Sequence, residues 1–168
     1  VSDRDPDGNG VFDEGNGVVR RVSIGAGGVQ ANYHSYWPSI SGNGRYVSFH
    51  SGASNLDPAS PQGPWDIFVY DRDPDGNGVF DQGNGVIEQI NRGQDGQAPN
   101  GDSFLAALSA DGQYVAYRSA ANNLVPGDTN NQHDIFVRDR QTGQTRRVSV
   151  NSSGIQSNGY SSEPILSE

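Results

Sequence analysis

The chain repeats itself with a period of 68 residues, and no other feature limits its possible folds as strongly. Asp66-Ile-Phe-Val-Tyr-Asp-Arg72 returns as Asp134-Ile-Phe-Val-Arg-Asp-Arg140. Ser41-Gly-Asn-Gly-Arg-Tyr-Val-Ser-Phe49 returns as Ser109-Ala-Asp-Gly-Gln-Tyr-Val-Ala-Tyr117. Such a period marks a stack of supersecondary units, each too small to bury a core alone.

The units read as all-β. Apolar residues make up 32% of the 168 and come in short runs of Val, Ile, Phe and Tyr, set between Gly, Asn, Asp and Ser clusters. With 23 Gly and 9 Pro, long amphipathic helices are not expected. Each unit supplies four strands. The first is expected near Pro38–Ser41 and Ala106–Ser109, the second at Arg45–Ser51 and Gln113–Ser119. The third is expected at Asp66–Arg72 and Asp134–Arg140, the fourth at Val86–Arg92 and Thr145–Val150. Asn43-Gly44 and Asp111-Gly112 are pairs that tight hairpins favour. Val47 with Phe49, and Val115 with Tyr117, share a face of the second strand. Four consecutive antiparallel strands, repeated without a helix, predict β-propeller blades. A sandwich would not need near-identical units in the same phase, and the coils of a parallel β-helix are much shorter.

The ordered motifs S-x-(D/N)-G-x-Y-V-(A/S)-(F/Y), D-I-F-V-x-D-R and R-R-V-S resemble the WD-like repeats of TolB-type β-propellers, closest to the long versions in secreted bacterial repeat proteins. The resemblance covers essentially the whole chain. It implies a propeller fold and a secreted, periplasmic or cell-surface location. It implies no single activity, because such propellers serve as docking platforms, enzyme gating domains and lyases. The expected organisation is one propeller segment: 1–24 the end of a preceding blade, 37–92 and 104–150 two complete blades, and 163–168 the first strand of a following one. Identical copies closing a ring would leave unpaired strand edges, so the expectation is a piece of a longer propeller, with self-assembly as the other way to complete the fold.

Charge narrows the chemistry. The net charge is −9, and no basic stripe is present to engage a phosphate backbone, so nucleic acid is not an expected partner. No apolar run approaches the roughly 20 residues of a membrane span. There is no cysteine, hence no disulfide, thiolate metal site or cysteine nucleophile. The acidic residues concentrate in two loops, Asp5-Pro-Asp-Gly-Asn-Gly-Val-Phe-Asp13 and Asp73-Pro-Asp-Gly-Asn-Gly-Val-Phe-Asp81. Ca²⁺ takes six to eight oxygens, and alternating carboxylates around a glycine turn supply several from consecutive residues.

Two registers compete for that ion. An EF-hand register ends on Glu14 in the first loop, but on Gln82, which is no carboxylate, in the second. The shorter D-x-D-x-N-G-x-x-D register is complete in both. It assigns the side chains of Asp5, Asp7, Asn9 and Asp13 with the Val11 carbonyl, and those of Asp73, Asp75, Asn77 and Asp81 with the Val79 carbonyl. The third unit replaces the insert with Gln141-Thr-Gly-Gln144, so the insert is a separate module. It resembles the calcium hairpin loops of integrin-type propellers. Two structural Ca²⁺ sites are expected, pinning long outer hairpins. The alternative is a pair of solvated turns. A weaker candidate cation site is Asp128, Asn130, Gln132 and Asp134.

Catalysis is not expected. His34, His50 and His133 do not recur in the repeat and share no ligand spacing, so each is read as a satisfied or exposed histidine. No nucleophile elbow, phosphate loop or dinucleotide fingerprint occurs. Phe49, Phe68, Phe136 and Tyr117 recur in strand slots and read as core. Tyr33, Tyr36 and Trp37 do not, and read either as packing or as a binding rim. The expected function is a non-catalytic, calcium-stabilised scaffold binding a protein or glycan. The alternatives are the propeller portion of an extracytoplasmic peptidase or polysaccharide lyase, and a structural subunit of an extracellular assembly.

Overall fold

A computed structural model describes residues 2–3, 15, 17–58 and 64–167. The fold is all-β. A two-stranded piece, β1 (Ser2–Asp3) with β2 (Val18–Val19), precedes two four-stranded antiparallel sheets. The first sheet is β3 (Ser35–Ile40), β4 (Tyr46–Ser51), β5 (Asp66–Asp71) and β6 (Val86–Gln89), and the second is β7 (Ser103–Leu108), β8 (Tyr114–Ser119), β9 (Asp134–Asp139) and β10 (Gln144–Arg147). Both are meanders in sequence order, as propeller blades are. Their registers superpose at the repeat offset: Tyr46 faces Asp71 as Tyr114 faces Asp139, and Ser51 faces Asp66 as Ser119 faces Asp134. Residues 161–167 form no strand.

Two strands differ from expectation, for local reasons. The first strand starts earlier, at Ser35 and Ser103, because a bulge divides it between Tyr36 and Ser39 and again between Phe104 and Ala107. Trp37 (φ 52°) and Leu105 (φ 57°) occupy the bulges in the left-handed region. The bulge breaks the period-2 alternation, and it also lets Pro38 sit inside a strand. The fourth strand ends sooner, because side chains take over its ladder. Ile67 N–H donates to Asn91 Oδ1 at 3.1 Å, and Ile135 N–H donates to Ser149 Oγ at 3.1 Å.

The recurrent turn motif has a direct cause. Ser41 Oγ donates to Asn43 Oδ1 and accepts from Tyr46 N–H, and Ser109 repeats this with Asp111 and Tyr114. These bonds close the β3–β4 and β7–β8 hairpins.

Stacking of the sheets makes the core. Ile67, Val69 and Ile90 of the first sheet meet Leu108, Val115, Tyr117 and Phe136 of the second. Tyr46 crosses to the same cluster, and Gly112 makes room for it: a Cβ there would lie 2.1 Å from the Tyr46 ring, and its φ is 71°. The other face of β5 places Phe68 and Tyr70 with Phe49 and Leu56, under Val22, Ile24 and Ala31. The recurrent aromatics Phe49, Phe68, Tyr117 and Phe136 are therefore core, as their slots predict. Phe68→Ala is expected to cost about 3–5 kcal/mol in chemical denaturation, since its fully buried ring leaves a cavity. The outer face of the second sheet differs: Tyr114 and Val148 are 41% and 47% exposed, where the matching Ile90 of the first sheet is fully buried.

Candidate functional site

The β5–β6 hairpin carries the second acidic loop, at the same sheet end as the β3–β4 turn, and the chain folds it from within. Asp71 Oδ1 accepts from Asp73 N–H, Asp75 Oδ1 from Asn77 N–H, and Asn77 Oδ1 from Val79 N–H at 2.8 Å. These successive side-chain turns curl the backbone around Gly76 and Gly78, whose φ values of 67° and 83° suit glycine. Asp73 is buried, and its two oxygens accept from Asn77 N–H and Gly78 N–H, both at 3.0 Å. Desolvation pushes its carboxyl upward, but the Gly78 and Asn77 N–H groups, with Arg45 nearby, hold it below the ordinary value.

Four of the five assigned oxygen donors line this curl. Asn77 Oδ1 and the Val79 carbonyl converge on one group, accepting from Gln82 Nε2 at 3.0 and 3.1 Å. Asp75 Oδ2 accepts from the amides of Asn77 and Asn84. The convergence suits a cation of oxygen-loving character, with the Gln82 amide occupying part of the space.

Asp81 is placed elsewhere. Its carboxylate forms a fork with Arg72 at 2.5–3.1 Å, and the two side chains are 9% and 4% exposed. Arg72 also donates to the Gly44 carbonyl and lies over the Phe80 ring. The repeat explains the pairing. Arg140, one period later, donates to the equivalent Gly112 carbonyl and pairs with Glu88 of the preceding sheet. The slot one period before Glu88 holds Arg20, which brings no carboxylate. The insert supplies the missing carboxylate. Among the described residues, no three carboxylate or imidazole groups gather around one point. The first loop, with Asp5, Asp7, Asn9, Val11 and Asp13, lies outside the described residues.

The weaker cation candidate already holds a protein cation. Arg147 Nη1 lies 3.1 Å from Asp128 and 3.7 Å from Asp134. Asn130 Nδ2 and Ser149 Oγ donate to the Asp134 carboxylate. The guanidinium fills this place, and burial raises the Asp128 carboxyl against the pull of Arg147.

The opposite sheet end carries what the sequence reading underrated. There the one-off aromatics and histidines of both units form one connected row. Tyr33 and Tyr36 pack on Trp65 at 5.8 Å, Tyr36 being nearly parallel to it. His50 meets Trp65 at 5.5 Å and Phe104 of the next sheet at 5.3 Å. Arg118 lies over Phe104 and Tyr160 and donates to the Tyr160 hydroxyl, and His133 packs on Tyr160 at 5.0 Å. The expectation of satisfied or exposed histidines holds for His34, which is exposed, and fails for His50 and His133. His50 is 4% exposed with its buried Nδ1 lacking a hydrogen-bond partner, and His133 Nδ1 is likewise buried and unpaired. Burial, seconded by Arg118, pushes His50 down to about 4. The cause is the slot itself: the end of β4 packs His50 against Phe104 of the second sheet.

No family model matches the chain. No curated protein matches it. Among solved structures it is similar to TolB from Acinetobacter baumannii, with 15% identity and a TM-score of 0.40, over 71% of this chain and 22% of that one. The chain thus spans less than a quarter of that structure. The blade assignment rests on the chain's own repeat and strand order. Among the described residues, no helix is long and apolar enough to cross a membrane.

Proposed function

We propose that this chain is a non-catalytic, calcium-stabilised blade scaffold of a secreted or cell-surface bacterial protein, binding a protein or glycan partner. The observation that carries the metal part is the convergence of the Asn77 and Val79 oxygens on one donor beside Asp73 and Asp75. Ca²⁺ there would neutralise the clustered carboxylates and tie the hairpin to the sheet. Asp73, Asp75, Asn77 and the Val79 carbonyl would hold it, with the Gln82 amide turned aside. Asp81 has a different task, neutralising Arg72. The exposed outer face of the second sheet supports continuation of the stack, because the matching face of the first sheet is buried by its neighbour.

Thermal unfolding with calcium and with EDTA tests this. At calcium roughly 100-fold above Kd, the melting temperature is expected to rise by about 5–10 °C over EDTA. Asp73→Ala with Asp75→Ala should reduce that increment, while magnesium should give little of it. An identical melting temperature in calcium and EDTA would remove the metal from the account.

A further inference from the structure

The aromatic row has a property that packing does not explain. Core slots keep their chemistry across the repeat, as Val47 with Val115 and Phe68 with Phe136 do. The row's slots do not: His50 becomes Arg118, Trp65 becomes His133, and Tyr36 becomes Phe104. The same backbone positions, in the same register, carry different aromatic, imidazole and guanidinium groups. The fold therefore tolerates variety at this end, and the particular set must answer to something else.

Three further observations point to a ligand. Tyr33, Tyr36, Trp37 and Tyr160 are 48–65% exposed, although Tyr36 stacks on His34 and Trp65 and Tyr160 lies against His133 and Arg118. His50 Nδ1, Arg118 Nε and His133 Nδ1 are buried without hydrogen-bond partners, three in one connected cluster. Arg118, like Arg21, Arg138 and Arg146, has no carboxylate partner among the described residues, but it is the one set between aromatic rings of this row, over Phe104 and Tyr160. In a chain of net charge −9, an uncompensated guanidinium between aromatic rings is a local site for an anion.

The backbone narrows the ligand class. Along the row the carbonyls of His34, Trp65, Asp102 and His133 already accept from Gly52, Ser103, Ala120 and Ser161 N–H groups. Trp65 N–H is spent on the Asp102 carboxylate. A peptide would find no free ladder to extend. What remains is recognition by flat apolar ring faces with polar edges and one cation. A sugar ring matches the faces with its C–H side and the edges with its hydroxyls. We propose that this row is a binding surface for an acidic oligosaccharide, its rings laid on the exposed Tyr33 and Trp37 and a carboxylate directed to Arg118. This rests on the partner-binding part of the proposed function and is independent of the metal.

Trp37 adds a stability argument. It holds a left-handed conformation that is strained for a bulky residue, yet it is 65% exposed. Its ring is retained at a position where glycine would suit the backbone better.

The test uses a favourable accident: the chain's two tryptophans, Trp37 and Trp65, both belong to this sheet end. Intrinsic fluorescence therefore reports on it without background. Tetragalacturonate is expected to change the emission saturably, and its methyl ester to bind about tenfold or more weakly. Arg118→Gln should abolish that discrimination and Arg118→Lys restore part of it. Trp37→Gly should weaken binding while leaving the melting temperature unchanged or slightly raised. No saturable change with tetragalacturonate, equal binding of acid and ester, or equal binding of tetraglutamate would each overturn the inference. The acid-against-ester comparison needs no variant, so a misfolded Arg118→Gln protein leaves it decisive. Failure here with an intact calcium response would leave the metal part of the scaffold reading standing.

Discussion

Arg72→Met and Asp81→Asn are each expected to destabilise the protein by about 3–5 kcal/mol, because either leaves its partner buried and uncompensated. The double replacement Arg72→Met with Asp81→Leu should recover most of that loss, since an apolar pair of similar volume avoids the desolvation of two ions. Arg140→Met is the internal control. It breaks the equivalent contact one repeat later, but Glu88 is 40% exposed, so the cost should be smaller, on the order of 1–2 kcal/mol with the loss of packing on Tyr46. The decisive condition is EDTA. If Asp81 serves Arg72, the destabilisation persists without calcium. If Asp81 were a metal ligand, it would shrink to nothing there. Urea midpoints with and without EDTA distinguish the two.

Acidification should weaken the fold through His50. Its folded value lies near 4 against an ordinary 6.5, so between these limits the unfolded chain binds a proton that the folded chain refuses. Stability is thus fully present above about pH 6.5 and is lost as pH falls toward 4, by roughly 3 kcal/mol in total. The groups facing His50 are the rings of Tyr36, Trp65 and Phe104 and the Arg118 guanidinium, none of which stabilises an imidazolium except weakly through ring faces. His133, also pushed down by burial and Arg118, adds in the same direction. His50→Phe should flatten the pH 4–6.5 window and raise stability at pH 5, since its orphaned nitrogen is removed with the charge. Unchanged pH dependence in that variant would show that the imidazole is not the titrating group.

The repeat made most of the fold legible. Strand order, the Asn43-Gly44 and Asp111-Gly112 turns and the burial of Phe68 and Phe136 follow from two copies of one pattern in phase. The bulge at Trp37 was not legible, because an inserted residue breaks the very alternation used to find a strand. The early end of β6 and β10 was hidden for a related reason: Asn91 and Ser149 imitate backbone acceptors, which no periodicity records. At the acidic hairpin, the curl of Asp73, Asp75 and Asn77 follows the loop's own turn chemistry. Asp81 was misleading because its partner, Arg72, belongs to the blade motif and not to the loop. A signal was present all the same: Glu88 has Arg20 as its counterpart one period earlier, so Arg72 needed a carboxylate from elsewhere. The aromatic row was legible only in part: Tyr33, Tyr36 and Trp37 stood out as packing or a rim, but attention to recurrence hid their connection to Trp65, His50, Phe104 and Arg118. Its signal was the reverse, a set of fixed strand slots whose chemistry changes between units.

The most direct test of the account is the calcium stoichiometry of the intact chain by titration calorimetry, beside the Asp73→Ala, Asp75→Ala variant. Two equivalents for the parent chain and one for the variant are expected, the remaining one belonging to the loop of Asp5, Asp7 and Asp13. No saturable heat with calcium, or two equivalents retained by the variant, would contradict the calcium-pinned scaffold.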